Sequence, residues 1–168
     1  MHALAFFSLC ALVTWTVDAS GHPGINDIPS APHGAFFYRP YVGGRPMQCT
    51  ASNGQPVAVV SDHLLNDVGA ARNFNGQMVI FMNPHVLLNL PNENQLFWYA
   101  HECAHVNIPT ANEDLADCAA VKLGRRQGWL TPGGMQSLCA YFQGNLGDWT
   151  HSPGPIRCQK MVACYQAP

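Results

Sequence analysis

Two pairs of metal-binding side chains, each spaced by four residues and separated by a proline break, constrain this chain more than anything else in it. The first pair lies in His101-Glu102-Cys103-Ala104-His105, an H-E-x-x-H pattern. Positions four apart on a helix lie about 40° apart around its axis, so both imidazoles leave from one face. Two neutral imidazoles on one face are two of the three protein ligands that a catalytic zinc requires. Glu102 falls about 60° beyond His105, beside such an ion but not over it. A carboxylate there can take a proton from a bound water. Residues 95–100, just before the pattern, are mostly apolar and free of Gly and Pro, which suits a buried helix as its carrier.

The second pair follows closely. Residues 106–111 form a short connection broken by Pro109, and residues 112–117 open another helix in which Glu113 and Asp117 share a face. The short gap between His105 and Glu113 suits a tight antiparallel helix pair that returns Glu113 to the two imidazoles. One carboxylate then binds the metal while the other fixes a ligand His through its second ring nitrogen. These residues carry another meaning as well. Thr110-x-x-Glu113 is a capping box, and acids favour any helix N-terminus. Asp114, about 100° round from Glu113, reads as a solvated first-turn acid. If Glu113 only caps, Asp117 or Asp114 becomes the ligand.

H-E-x-x-H followed by N-E-x-x-A-D resembles the gluzincins, thermolysin-like peptidases with a His-His-Glu zinc site. The short spacing and the E-x-x-A-D form are closer to the heat-shock membrane peptidases and their small secreted relatives. Carried over residue by residue, the resemblance implies His101, His105 and Glu113 as ligands of one Zn2+. It implies Glu102 as general base and Asp117 as the partner of a ligand His. It spans about residues 78–164 and is sharpest at 96–121. The membrane relatives have transmembrane helices, whereas residues 20–168 contain none by hydropathy. Downstream, Thr150-His151-Ser152-Pro153 followed by Arg157 matches a T-H-P-like element of the family, with Ser152 here separating His from Pro. Two readings of His151 stand side by side. Poised by the metal, it donates a hydrogen bond to the oxyanion of a hydrated carbonyl. Alternatively Ser152 caps a helix, Pro153 takes its first position, and His151 is a loop residue. Arg157 reads as a structural cation, with Asp148 as its partner.

The N-terminus indicates the compartment. Residues 3–17 are almost wholly apolar, and Val17-x-Ala19 is a small-residue cleavage signal. The run is short of the roughly 20 residues that span a bilayer comfortably. Residues 1–19 are therefore expected to be a cleaved signal peptide, with an uncleaved anchor as the alternative. Residues 20–168 then form a single domain in a secreted or periplasmic protein. Formal net charge is −2 with no basic cluster, so nucleic acid is not an expected partner. A peptide or protein substrate is, and the chain is expected to be monomeric.

Cys10 leaves with the signal peptide, and Cys49, Cys103, Cys118, Cys139, Cys158 and Cys164 remain. An even count in an exported chain predicts disulfides; buried free thiols are the alternative. Cys103 lies about 200° round from His101 and faces away from the metal. Cys118 follows Asp117, so a Cys103–Cys118 bond would clamp the two ligand-bearing helices. Cys158 and Cys164 stand about 9 Å apart along one helix, too far to bond each other. They are expected to bond Cys49 and Cys139, in either order.

Residues 20–34 are Pro/Gly-rich and read as irregular. Strands are expected at 35–39, 57–61 and, most clearly, 77–82, while 62–71 admits a helix. Residues 86–90 lead to the active helix, capped by Asn92 with Gln95. Further helices are expected at 112–127, from Thr131-Pro132 to about 142, and from Ser152-Pro153 onward. The expected class is α+β and zincin-like: a small sheet packed on the H-E-x-x-H helix, with residues 77–82 as the edge on which an extended peptide aligns. Trp98, Tyr99 and Trp149 line a side-chain pocket or belong to the core, the core being favoured for the first two. The resulting expectation is an exported zinc endopeptidase. The alternative is a secreted zinc-binding module that acts by binding, weaker because Glu102 is retained and a structural site needs no base.

Overall fold

The Asn75-Gly76 dipeptide organises the sheet. Both residues have positive φ, 50° and 83°, the left-handed geometry of the two-residue turn that matches strand twist. Asn73 Oδ1 accepts a hydrogen bond from Gly76 N at 3.0 Å. The turn closes a hairpin between β5 (Gly69–Phe74) and β6 (Gln77–Met82), with Phe74 opposite Gln77 and Gly69 opposite Met82. The computed structural model describes residues 27–168. The expected signal peptide at 1–19 and Cys10 lie outside the described residues.

β6 is the strand that the sequence shows most clearly, but it is not an edge. The sheet order is β1 (Phe36–Phe37), β4 (Ala58–Ser61), β6, β5, with β4 and β6 parallel and the other pairs antiparallel. The hairpin adds β5 outside β6, so β5 is the edge on that side and the expectation for residues 77–82 is corrected. The helix admitted at 62–71 is corrected with it: turns at 62–68 lead into β5. A separate two-stranded ribbon joins β2 (Tyr41–Val42) to β3 (Arg45–Pro46). The architecture is α+β, as expected.

α1 (Pro84–Leu87) leads into α2 (Asn92–Asn107), the H-E-x-x-H helix. Every residue of α2 from Asn94 to Glu102 is buried, so it is a core helix on all sides rather than a one-sided surface helix. The predicted Asn92–Gln95 cap is not formed. Gln95 instead ties the helix to its surroundings, its Oε1 accepting from Gly43 N and its Nε2 donating to Leu90 O. Phe97, Tyr99, Phe142, Ile80, Met82, Leu138 and Met161 fill the core around it.

α3 (Glu113–Gln127) packs on α2 and ends at Gly128. Its N-cap is Asn112, whose Oδ1 accepts from Leu115 N at 3.1 Å. Thr110 Oγ1 accepts from Asn112 N and reaches no farther into the helix. The capping box is thus replaced by an Asn cap two residues closer to the helix, and Glu113 is released from capping. α4 (Pro132–Phe142) starts as predicted, with Thr131 Oγ1 accepting from Gly134 N. α5 (Gly154–Gln166) starts after Pro153, and Ser152 does not cap it; the Ser152 hydroxyl accepts from Lys160 Nζ.

All six cysteines of the described residues are bonded: Cys49–Cys103, Cys118–Cys164 and Cys139–Cys158. The expected Cys103–Cys118 clamp is corrected. Cys103 and Cys118 both line the space between α2 and α3, but Cys103 is bonded to Cys49 from the segment that packs beside them. Cys118 bonds α5 instead. Cys158 and Cys164 take separate partners, as their spacing requires. Among the described residues, no helix is long and apolar enough to cross a membrane.

Candidate metal centre

α2, α3 and the loop before α5 deliver four donor atoms to one point. His101 Nε2 lies 3.0 Å from Glu113 Oε2, His105 Nε2 lies 3.3 Å from it, and His151 Nε2 lies 3.1 Å from it. The two Nε2 atoms of α2 are 3.1 Å apart. Tetrahedral zinc with bonds of about 2.0–2.1 Å sets its ligand atoms roughly 3.3 Å apart. The donor atoms of His101, Glu113 and His151 all lie within 4.8 Å of one another, close enough to hold one ion. His105 joins that group through His101 and Glu113.

The opposite ring nitrogens explain why the Nε2 atoms converge. His101 Nδ1 lies 2.8 Å from Asp117 Oδ1. His105 Nδ1 donates to the Thr110 carbonyl at 2.8 Å. His151 Nδ1 lies 2.7 Å from Thr150 Oγ1 and 3.3 Å from both Asp148 oxygens. His101 and His105 therefore use Nδ1 on the protein and present Nε2 to Glu113, the tautomer that a metal ligand needs, and His151 also turns its Nε2 toward Glu113. Glu113 Oε2 is buried, and its neighbours meet it without hydrogen-bond alignment. Lone pairs that crowd together without pointing at each other are what a shared cation would organise. The donor set, two to three imidazoles and one carboxylate, is of the kind that holds a divalent metal ion.

Asp117 has a second duty. Its carboxylate takes Arg157 bidentately, Nε to Oδ2 at 2.5 Å and Nη2 to Oδ1 at 2.7 Å. The Arg157 guanidinium also lies over the Phe142 and Trp98 rings, 4.2 and 5.2 Å from their centroids. The expected Arg157–Asp148 pair is corrected: α5 packs on α3, which carries Arg157 to Asp117, while Asp148 stays on the loop with His151. Asp114, the presumed solvated acid, pairs with Lys160 at the surface.

These contacts set the charges. Burial pushes the His101 pKa down, but Asp117 and Glu113 outweigh it and raise it to about 9. Burial pushes Glu113 up, and the His101 and His105 imidazoles hold it below the usual carboxylate range despite that. Without metal, both shifts favour the charged forms of His101 and Glu113. A metal entering the centre displaces the proton.

Glu102 is buried beside this centre. Burial raises its pKa against the pull of both imidazoles and of the Ala71 amide, which donates to its carboxylate. Ala71 belongs to β5, so the edge strand and the carboxylate touch. Gly69 permits the approach: a Cβ there would sit 2.8 Å from Glu102 Cγ and 3.0 Å from Met82 Sδ. Sequence reasoning missed β5 and Gly69. Asn75-Gly76 was the signal for the first, and a glycine inside a strand often marks close approach.

The structure brings together His101, Glu102, His105, Glu113, Asp117 and His151, and leaves the six cysteines outside the centre. Trp98 and Tyr99 are buried core residues, and Trp149 is 96% exposed on the loop that carries His151. Comparison with protein-family models, curated proteins and solved structures finds no match for this chain.

Proposed function

We propose that the chain is an exported zinc endopeptidase of zincin-like fold. The observation that carries this reading is one juxtaposition. Three ligand-type side chains, His101, His105 and Glu113, converge beside a buried carboxylate that touches an open strand edge. Zinc held by these donors would supply Lewis-acid polarisation of a water and of the scissile carbonyl. Glu102 accepts the water's proton and returns it to the leaving amine. Burial supports this role, because a raised pKa brings the carboxyl closer to neutrality. β5 offers its outer backbone groups to an extended peptide, which aligns the scissile bond past Glu102. His151 Nε2 donates to the carbonyl oxygen as charge develops there. Asp117 holds the His101 ring in place. Three disulfides support an exported chain.

His151 also favours a second reading. If its Nε2 is a fourth ligand, the centre is closed by protein, as structural zinc sites are, and the chain is a secreted zinc-binding module. One experiment separates the two. The purified chain is assayed for zinc content and for cleavage of a peptide library, beside Glu102→Gln. The peptidase reading expects about one zinc in both proteins and cleavage by the wild type alone, the variant falling by roughly 10²–10⁴. A fully zinc-loaded wild type that cleaves nothing leaves the binding module.

A further inference from the structure

Between α2, α3 and the segment carrying Arg39 and Met47 runs a groove of about 710 Å³. No residue of the metal centre lines it. It exists because the facing helix positions are small: Ala100, Cys103 and Ala104 on α2, and Ala119 on α3. The Cys49–Cys103 and Cys118–Cys164 bonds tie residues of its walls to neighbouring segments. Its volume is within the range of about 300–1,000 Å³ typical of small-molecule sites.

Polarity and charge define the guest. Leu115, Ala119, Lys122 and Arg126 succeed one another at helical spacing along α3, so one stripe runs from apolar to cationic. Leu115 is exposed at the apolar end, as is Ile108 on the connection from α2. Three of the chain's eight Lys and Arg residues, Arg39, Lys122 and Arg126, line the groove, and no Asp or Glu does. None of the three has an ion pair or side-chain hydrogen bond to another described residue. Arg125, Arg157 and Lys160, by contrast, are each held by acceptors. Uncompensated cations over an apolar floor complement an anion that carries a hydrocarbon.

The walls narrow this further. The two helical walls have backbones bonded internally, and β3 on the remaining wall is only two residues long, so an extended peptide finds a poor ladder there, unlike at β5. We propose that the groove binds a single-chain carboxylate amphiphile of the fatty-acid type. The chain lies against Ile108, Leu115 and Ala104, and the carboxylate meets Lys122 and Arg126, with Arg39 closing from the opposite wall.

The test is calorimetric titration of the intact, disulfide-bonded chain with dodecanoate below its micellar range. Saturable binding of one equivalent is expected, with dodecanol and acetate, each lacking half of the ligand, weaker by about tenfold or more. Lys122→Glu with Arg126→Glu weakens dodecanoate by about tenfold or more, with zinc content and circular dichroism unchanged. Ala119→Trp fills the groove and removes binding. The absence of saturable binding overturns the proposal. So does uptake of several equivalents that ignores both variants. So does a Glu-rich helical peptide that binds tighter than dodecanoate and competes with it.

Discussion

His101 and His151 reach the same carboxylate oxygen by opposite routes. His101 sits on a helix that is buried all round and is itself 2% exposed. Behind it stand Asp117, then Arg157, then the Phe142 and Trp98 rings, each layer buried and each holding the one before. His151 sits on a loop with its side chain 26% exposed, and its brace, Asp148, is 54% exposed. The difference separates two jobs that need different stiffness. A ligand that determines affinity gains from a ring that cannot turn away. A group that meets an incoming substrate needs its Nε2 to leave Glu113 when the carbonyl oxygen arrives, and an exposed loop permits that.

The largest test of this contrast is metal retention. His101→Ala and His105→Ala are expected to abolish tight zinc binding, as is Glu113→Ala, whereas His151→Ala keeps near-stoichiometric zinc. Metal analysis after gel filtration decides it. If His151→Ala loses zinc and His105→Ala keeps it, the loop histidine is the ligand and the contrast breaks.

Stability of the brace comes next. Arg157→Leu leaves the Asp117 carboxylate buried with His101 as its one remaining partner, and breaking such a buried pair from one side costs about 3–5 kcal/mol. Urea denaturation with the disulfides intact should show a loss of that order. A loss under about 1 kcal/mol, the scale of an exposed pair, would mean that the layers behind His101 are not rigid in solution.

Much of the site was legible because its grammar is local. Spacing by four residues fixes His101 with His105 and Glu113 with Asp117 without knowledge of the rest of the chain. The sheet edge was less legible, although Asn75-Gly76 was there to be read. The apolar run at 77–82 stands out by composition, whereas the edge strand Gly-Ala-Ala-Arg-Asn-Phe has none of the β-branched residues that mark strands. That the cysteines pair, and that Cys158 and Cys164 do not pair with each other, was legible, but the full disulfide connectivity and the Asp117–Arg157 pair were not. They join residues 19 to 54 positions apart, and which helix face meets which is decided by packing. Asn112 outcompeted Thr110 as the cap for a reason that sequence does offer. Asn is at least as good an N-cap as Thr, and it lies directly before the first helical residue.

At the site itself the expected effects are smaller. His151→Ala should lower kcat by roughly a hundredfold, the usual cost of one lost oxyanion donor, with KM nearly unchanged. A drop confined to KM would recast His151 as a substrate-binding contact that makes no distinction between ground and transition states. Unchanged kcat and KM would return it to the loop.

Asp148 offers the smallest and finest probe. Its Oδ1 accepts from Thr150 N and from His151 N, and both its oxygens lie near His151 Nδ1. These contacts hold the carboxyl well below its usual pKa, with the Thr150 hydroxyl as the first cause. Asp148→Asn keeps one acceptor oxygen for the backbone amides and removes the charge that faces the ring. The loop should therefore persist, and thermal stability should stay near wild type. What changes is how firmly the His151 ring is oriented. A fall in kcat of about three- to tenfold, smaller than that of His151→Ala, is expected for an exposed, solvent-screened partner. In His151→Ala the same substitution should add nothing, because Asp148 acts through that ring. If the two losses add instead, Asp148 serves the loop independently of His151, and the exposed side of the centre is built differently from the buried one.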